Sequence, residues 1–388
     1  MARFEETDRR LIGLTLIVKL GVLLAGALAY VIFTNGTISW PHGALELWSR
    51  WDAPHYLDLV VFGYRGADAG DLVGPNGYRS IYPGDLPLYI VFFPLFPWLA
   101  TIVNAALNDP LVSAFVVATA ASLFVAPLMY RLVRHDEGPT VAMRSAWFLL
   151  IFPTAYFLHI PYTEALFMAL VLGSFLAART ERWWLAGLLG GLAAMTRVNG
   201  LILIPALAAE AAWQWLQRPP EERRLRPEWL AIGLVGVGFG VYLGLNQVVY
   251  GDALTFMRIQ NEHWFKSLAP PWQGIASVWG WISNKNPDTA LMIGWMELLF
   301  IGIGLAGTVH AAFRLRPFMF AWMAGNWILF VSTSFVMSVP RYSLTLFPLF
   351  VSLGLLAERR WVLVTLSAVS LAAMAYFAGR FAVGWWAF

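Results

Sequence analysis

The chain has 388 residues, of which 59% are hydrophobic and 13% charged, with a formal net charge of +3 and no cysteine. Soluble domains carry roughly 25% charged residues, so a water-soluble fold of this length is excluded and the bilayer is the expected solvent. Disulfide frameworks and thiolate metal sites are excluded as well. The basic residues sit in short loops between apolar stretches, which reads as membrane topology rather than as a nucleic-acid surface.

A short charged segment, residues 1–10, precedes an apolar stretch at 11–33. That stretch is longer than a signal-peptide core and lacks a small-residue cleavage site, so an uncleaved first span is expected. Further apolar stretches of spanning length fall at 110–133, 141–158, 163–178, 227–250, 291–313, 317–337, 342–357 and 361–379. Residues 184–217 read as two shorter helices joined near Arg197-Val198-Asn199-Gly200. The sum is about eleven transmembrane helices in an all-α polytopic protein.

The segment 86–107 decides the sidedness of everything after it. It contains Pro94 and Pro97, which make a poor helix interior. If it does not cross, sixteen arginines fall on the cytoplasmic side, among them Arg3, Arg131, Arg179, Arg224 and Arg316, against nine basic residues outside. That arrangement satisfies the positive-inside rule. The segment is therefore expected to be interfacial or re-entrant, within a long first outer loop at 34–109. A second large outer loop follows at 251–290. No internal repeat breaks residues 1–388 into smaller units.

With this topology four polar stretches share the outer face: Arg50-Trp51-Asp52-Ala53-Pro54-His55-Tyr56, Pro161-Tyr162-Thr163-Glu164, Arg197-Val198-Asn199-Gly200 and Pro340-Arg341-Tyr342. Ionisable groups at membrane depth are costly, which makes them functional candidates as a class. Plainer readings stand beside each. Asp52 is also placed to cap a helix, and Glu164 to complement a helix dipole. Arg197 and Arg341 are also suited to anchor at the interface, and His55 to pack. The loop tryptophans, Trp40, Trp48, Trp51 and Trp264 among them, suit an interfacial belt. No nucleotide-binding glycine pattern or paired metal-ligand spacing occurs, so neither a cofactor nor a metal is expected, and support for a divalent ion is weak.

At these residues the chain resembles the PIG-V type GPI mannosyltransferases, which add the second mannose to the glycosylphosphatidylinositol precursor. The matching stretches are Arg50-Trp51-Asp52-Ala53-x-His55-Tyr56 with Gly63-Tyr64, then Phe92-Phe93-Pro94-Leu95-Phe96-Pro97, Phe152-Pro153, Pro161-Tyr162-Thr163-Glu164-Ala165-Leu166-Phe167 and Arg197-x-Asn199-Gly200. They cover the first half of the chain in family order. The second half resembles the family through Arg341 and hydropathy alone.

The resemblance implies a C-type (GT-C) glycosyltransferase fold with interfacial helices in the first outer loop. It also implies mannose transfer from a polyprenyl- or dolichyl-phosphate mannose. The acceptor would be a glycolipid or lipid-linked glycan at the outer face of the plasma membrane. On that reading Asp52 is the catalytic base, since one carboxylate with direct attack gives inversion. Arg341 and Arg197 bind the donor phosphate. Glu164, His55, Trp51, Tyr162 and Asn199 position the sugar or the acceptor. A secondary transporter or a flippase for a lipid-linked glycan is the alternative.

Overall fold

The computed structural model describes residues 5–65 and 72–388; Arg3 of the expected cytoplasmic set lies outside the described residues. Among these the chain is helical, and backbone pairing elsewhere consists of two isolated bridges, Val73 with Arg79 and Leu268 with Thr333.

Among the described residues five helices are long and apolar enough to cross a membrane: Glu6–Thr34, Pro110–Ile151, Pro227–Tyr250, Pro287–Arg314 and Arg360–Val383. Leu95–Leu107, Trp183–Ala194, Pro317–Val331 and Phe347–Leu356 are shorter apolar helices. The Glu6–Thr34 and Arg360–Val383 helices pack on one another and leave Leu16, Ile17, Leu20, Leu24, Val364 and Val369 exposed. Such contiguous apolar surface suits acyl chains and not water. The chain is an integral membrane protein.

The full set of about eleven helices is not reproduced at spanning length, and proline explains where the sequence reading departs. The expected span at 141–158 ends as helix at Ile151, because Phe152-Pro153 cannot continue it. Residues 152–163 form a buried irregular segment with a single 3-10 turn, Ala155–Leu158. The expected span at 342–357 is likewise split into Val339–Ser343 and Phe347–Leu356, with Pro348 opening the second. The segment 86–107 resolves into a 3-10 stretch, Pro83–Val91, and the helix Leu95–Leu107.

The core centres on Pro110–Ile151, which packs against Glu6–Thr34, Leu95–Leu107, Glu164–Arg179 and Phe347–Leu356. Asp109 caps its start by accepting from Val112 N at 3.0 Å, with Pro110 in the first turn, a favoured pairing for a helix N-terminus. Gly138 (φ 77°) kinks it just before Pro139. Trp183–Ala194 and Gly233–Tyr250 approach backbone to backbone: a Cβ on Gly238 would lie 2.0 Å from the Gly191 carbonyl oxygen. Membrane helices use such small residues because close packing replaces the hydrophobic drive.

Candidate active site

Four irregular or short segments deliver the site, each broken where its charged side chain must leave the helix lattice. Trp51 adopts a left-handed φ of 55°, a conformation that costs a non-glycine residue of order 1–3 kcal/mol. The reversal sets Asp52 at the entry of the Ala53–Phe62 helix, yet its side chain makes no capping bond. The carboxylate turns to Arg341 instead, accepting from Nη1 at 2.6 Å.

Glu164 opens the Glu164–Arg179 helix and is fully buried. Its Oε1 accepts from Arg341 Nε at 2.5 Å and from Arg197 Nη1 at 2.6 Å, while Oε2 has no protein partner. A carboxylate that merely answered the helix dipole would need neither arginine. Arg197, extended just before the turn Val198–Ile202, also donates to Thr163 Oγ1 at 3.0 Å. Asp52, Arg341, Glu164 and Arg197 thus form one continuous ionic chain.

Arg341 is 6% exposed and so is no snorkelling anchor. Its guanidinium lies 4.6 Å from the Tyr162 ring centroid and 4.8 Å from that of Phe157, within cation–π range. The short helix that carries it, Val339–Ser343, follows a left-handed Ser338 (φ 70°). Buried Glu297 accepts from Ser338 N at 2.6 Å and Val339 N at 2.8 Å. Thr154 Oγ1 donates to Pro340 O at 2.9 Å. A five-residue helix could not hold a buried guanidinium by its own stability; Glu297 and Thr154 hold it from outside.

Burial raises the pKa of Asp52, but the nearby Arg341 guanidinium and its hydrogen bond, aided by His55 and Arg197, outweigh that and hold it below the ordinary carboxylate value. Asp52 is therefore an anion at neutral pH, and its side chain keeps 34% of its surface exposed. It is the open end of an otherwise buried network.

Tyr162 joins the charged cluster to the first loop: its hydroxyl donates to Arg50 O at 2.8 Å and accepts from Asp52 N at 3.2 Å. His55 lies one turn beyond Asp52 among the rings of Tyr82, Tyr89 and Phe92. Burial lowers its pKa against the pull of Asp52 and Asp85, which leaves a neutral imidazole. Trp51 meets the Trp386 ring edge-on at 5.0 Å. Asn199 stands apart: its Nδ2 donates to buried Asn326 Oδ1 at 2.9 Å, fastening two helices rather than facing the charged groups. Asp58 is also a fastener, accepting from Tyr78 and Ser80 at 2.9 and 2.6 Å. Among the described residues no group of three or more His, Asp or Glu is arranged to hold a metal ion.

Sequence reasoning missed Glu297, Thr154 and the ring of Phe157. Glu297 was marked: an acid inside the apolar stretch 291–313 is costly unless something occupies it. Thr154 and Phe157 carry no comparable signal.

No family model matches the chain. Over 172 residues it is 31% identical to GPI alpha-1,6-mannosyltransferase 2 of Mus musculus, a match covering 41% of this chain and 31% of that protein. The same enzyme of Cricetulus griseus is 30% identical over 174 residues, covering 42% and 31%. The matched region spans about a third of the length of these curated relatives. ArnT from Cupriavidus metallidurans, solved bound to undecaprenyl phosphate, superposes on 96% of this chain and 75% of its own at 15% identity, with a TM-score of 0.49. The oligosaccharyltransferase AglB from Archaeoglobus fulgidus, solved with an inhibitory peptide and a dolichol-phosphate, covers 95% and 56% at 13% identity, with a TM-score of 0.46. The resemblance expected from the motifs is thus found independently by residue identity: the chain is similar in sequence to GPI alpha-1,6-mannosyltransferase 2.

Proposed function

We propose that the protein is an inverting GT-C glycosyltransferase. It would transfer a hexose, mannose by its sequence relatives, from a polyprenyl- or dolichyl-phosphate sugar to a glycolipid or lipid-linked acceptor. The observation that carries this is the Asp52 carboxylate: ionised, partly open, and fixed by a buried arginine in a network with a second acid and a second arginine. The acceptor oxygen attacks the anomeric carbon while its proton passes to Asp52. The bond from that carbon to the phosphate oxygen breaks, and its electron pair leaves with the phosphate. A phosphate departs as a stable anion, so no acid is needed on the leaving side.

The network's geometry suits this sequence of charges. In the resting site Arg341 is shared between Asp52 and Glu164. When Asp52 takes the proton it loses its charge, and Arg341 keeps one anionic partner instead of two. That positive charge becomes available as the departing phosphate gains a negative one. Arg341 Nη2, which has no partner among the described residues, is the nitrogen left to serve it, and Arg197 has Nε and Nη2 uncommitted. Glu164 Oε2, buried and without a protein partner, is placed to accept from a sugar hydroxyl.

An outer location for the site is supported by the separation of ionic groups along the Glu164–Arg179 helix, about 22 Å from end to end. Glu164 belongs to the site; Arg179 at the other end pairs with Asp136 and Glu210, as does Arg316. The sequence reading put Arg179 and Arg316 on the cytoplasmic side and the site residues on the other.

The test is transfer from radiolabelled polyprenyl-phosphate mannose to membrane glycolipids by the purified protein and by Asp52→Asn. General-base catalysis contributes about 10²–10⁴-fold, so the variant should lose at least about a hundredfold in rate while still binding donor. No transfer by the wild type, or near-normal turnover by Asp52→Asn, overturns the assignment.

A further inference from the structure

The site as described is electrically balanced: Arg341 and Arg197 face Asp52 and Glu164, two charges of each sign. A prenyl phosphodiester brings one more negative charge before any bond has changed. A balanced, largely buried network has no net attraction for it, because an anion there needs a cation that is not already neutralised.

Lys266 meets that need. Its ammonium lies 5.5 Å from the centroid of the Tyr342 ring, and Arg197 lies 5.5 Å from the same centroid. It is also 5.8 Å from the Phe335 ring. Among the described residues no carboxylate comes within ion-pair distance of Lys266. The acid that faces it, Glu297, has both oxygens occupied by the Ser338 and Val339 amides. The lysine is also fixed in place, unlike an ordinary loop lysine. Its own amide donates to Gln260 O at 3.1 Å, and Ser334 N donates to Ser267 O at 2.8 Å. Ser267 N donates to Ser334 Oγ at 3.1 Å, and Ala269 N to Ser332 O at 3.1 Å. The strap at 265–269 is thereby sewn onto the segment that leads to Arg341.

We propose that Lys266 is the receiving cation for the donor's phosphate. Holding the anionic prenyl phosphodiester at the Tyr342 rim beside Arg197, it keeps Arg341 engaged with Asp52 until the proton moves. The chemical class it selects is a prenyl chain bearing a single phosphate, with or without its sugar. This rests on the glycosyl-transfer reading. It assigns the first phosphate contact to a residue of the second large loop and not to the arginine pair alone.

The experiment measures binding of undecaprenyl phosphate, without sugar, to the purified full chain in nanodiscs. The proteins are wild type, Lys266→Met, Lys266→Arg and Asp52→Asn, with phosphatidylglycerol as a competitor. Methionine keeps the stem over Phe335 and Tyr342 and removes the charge. Lys266→Met should bind at least about tenfold more weakly and Lys266→Arg within about threefold of wild type, while Asp52→Asn, which removes one negative charge from the balanced network, should bind no more weakly than wild type. Phosphatidylglycerol should displace little. Equal affinity of wild type and Lys266→Met overturns the proposal; if both still transfer mannose, the glycosyltransferase reading stands. Displacement by phosphatidylglycerol at equal concentration makes Lys266 a general lipid anchor and also overturns it. Undecaprenyl phosphate binding by no protein, together with no transfer, would sink the glycosyl-transfer reading itself.

Discussion

The Arg341–Glu164 contact should behave as a coupled unit, and its coupling can be worked from the structure. Removing one partner of a buried ion pair costs roughly 3–5 kcal/mol, because the other charge is left without compensation. Arg341→Met leaves Glu164 with Arg197 at 2.6 Å, and leaves Asp52 with 34% of its side chain open to solvent. The cost should therefore sit at the low end, about 3 kcal/mol. Glu164→Gln leaves Arg341 bonded to Asp52 but strips a charge from two guanidinium groups, for a loss of about 2–3 kcal/mol. Additive effects would bring the double variant to about 5–6 kcal/mol. With no orphaned charge facing its former partner, it should instead cost about 3–4 kcal/mol, a coupling of about 2 kcal/mol. The assay is unfolding in mixed micelles by titration with a denaturing detergent, followed by tryptophan fluorescence. Additivity to within about 0.5 kcal/mol would refute the claim that the two side chains share one electrostatic environment.

The pH dependence of Asp52 follows from its lowered pKa. A carboxyl depressed in the folded state contributes stability above its unfolded pKa, near 4, and loses it as pH falls through the folded value. Turnover should therefore be flat with respect to this group from about pH 5 upward, and an acid limb assigned to Asp52 near pH 6 would contradict its pairing with Arg341. Gly238→Ala should destabilise the protein and Gly236→Ala leave it nearly unchanged, since a Cβ at the first position meets the Gly191 carbonyl and at the second meets open space; equal effects in thermal unfolding would discount the close approach. In this cysteine-free chain, a cysteine at exposed Lys285 should react with a membrane-impermeant maleimide from outside intact cells and one at exposed Arg224 should not. The reverse pattern would invert the proposed sidedness.

The sequence made the site more legible than the fold. Asp52, Glu164, Arg197 and Arg341 stood out because each is an ion in an apolar setting, and the energetic reason such residues are rare is also why the structure brings them to one another. The helices were harder to delimit. Hydropathy measures how much lipid a segment tolerates, and the buried irregular stretch at 152–163 tolerates it as well as a span does. Phe152-Pro153 and Pro161 carried the information that helix stops there, and they outweigh the apolar run between them. The contacts made by Glu297 and Lys266 were not legible at all. Each acts on residues about 40 to 80 positions away, through backbone amides or aromatic faces that leave no spacing in the sequence.

Two acids and two arginines also meet at the far end of the Glu164–Arg179 helix, so the count of ion pairs does not by itself identify the active end. Glu210 there is fully buried, Asp136 and Arg179 are each 12% exposed at the side chain, and Arg316 is 21% exposed. Neither carboxylate of that network is as open as Asp52. Arg316 there lies over the Trp213 ring at 5.8 Å but is already paired with both acids. A network closed in this way has no route to a substrate proton, and its role is to tie the surrounding helices. Asp136→Asn removes a charge that Arg179 contacts at 2.5 Å and Arg316 at 3.3 Å. It should lower the unfolding midpoint by the equivalent of about 2–3 kcal/mol while the rate per folded molecule stays within about twofold. Asp52→Asn should do the opposite, keeping most of the stability and losing about a hundredfold or more in transfer. Stability and turnover measured side by side separate the two ends. If Asp136→Asn abolished turnover in folded protein, the chemistry would have been placed at the wrong end of the helix.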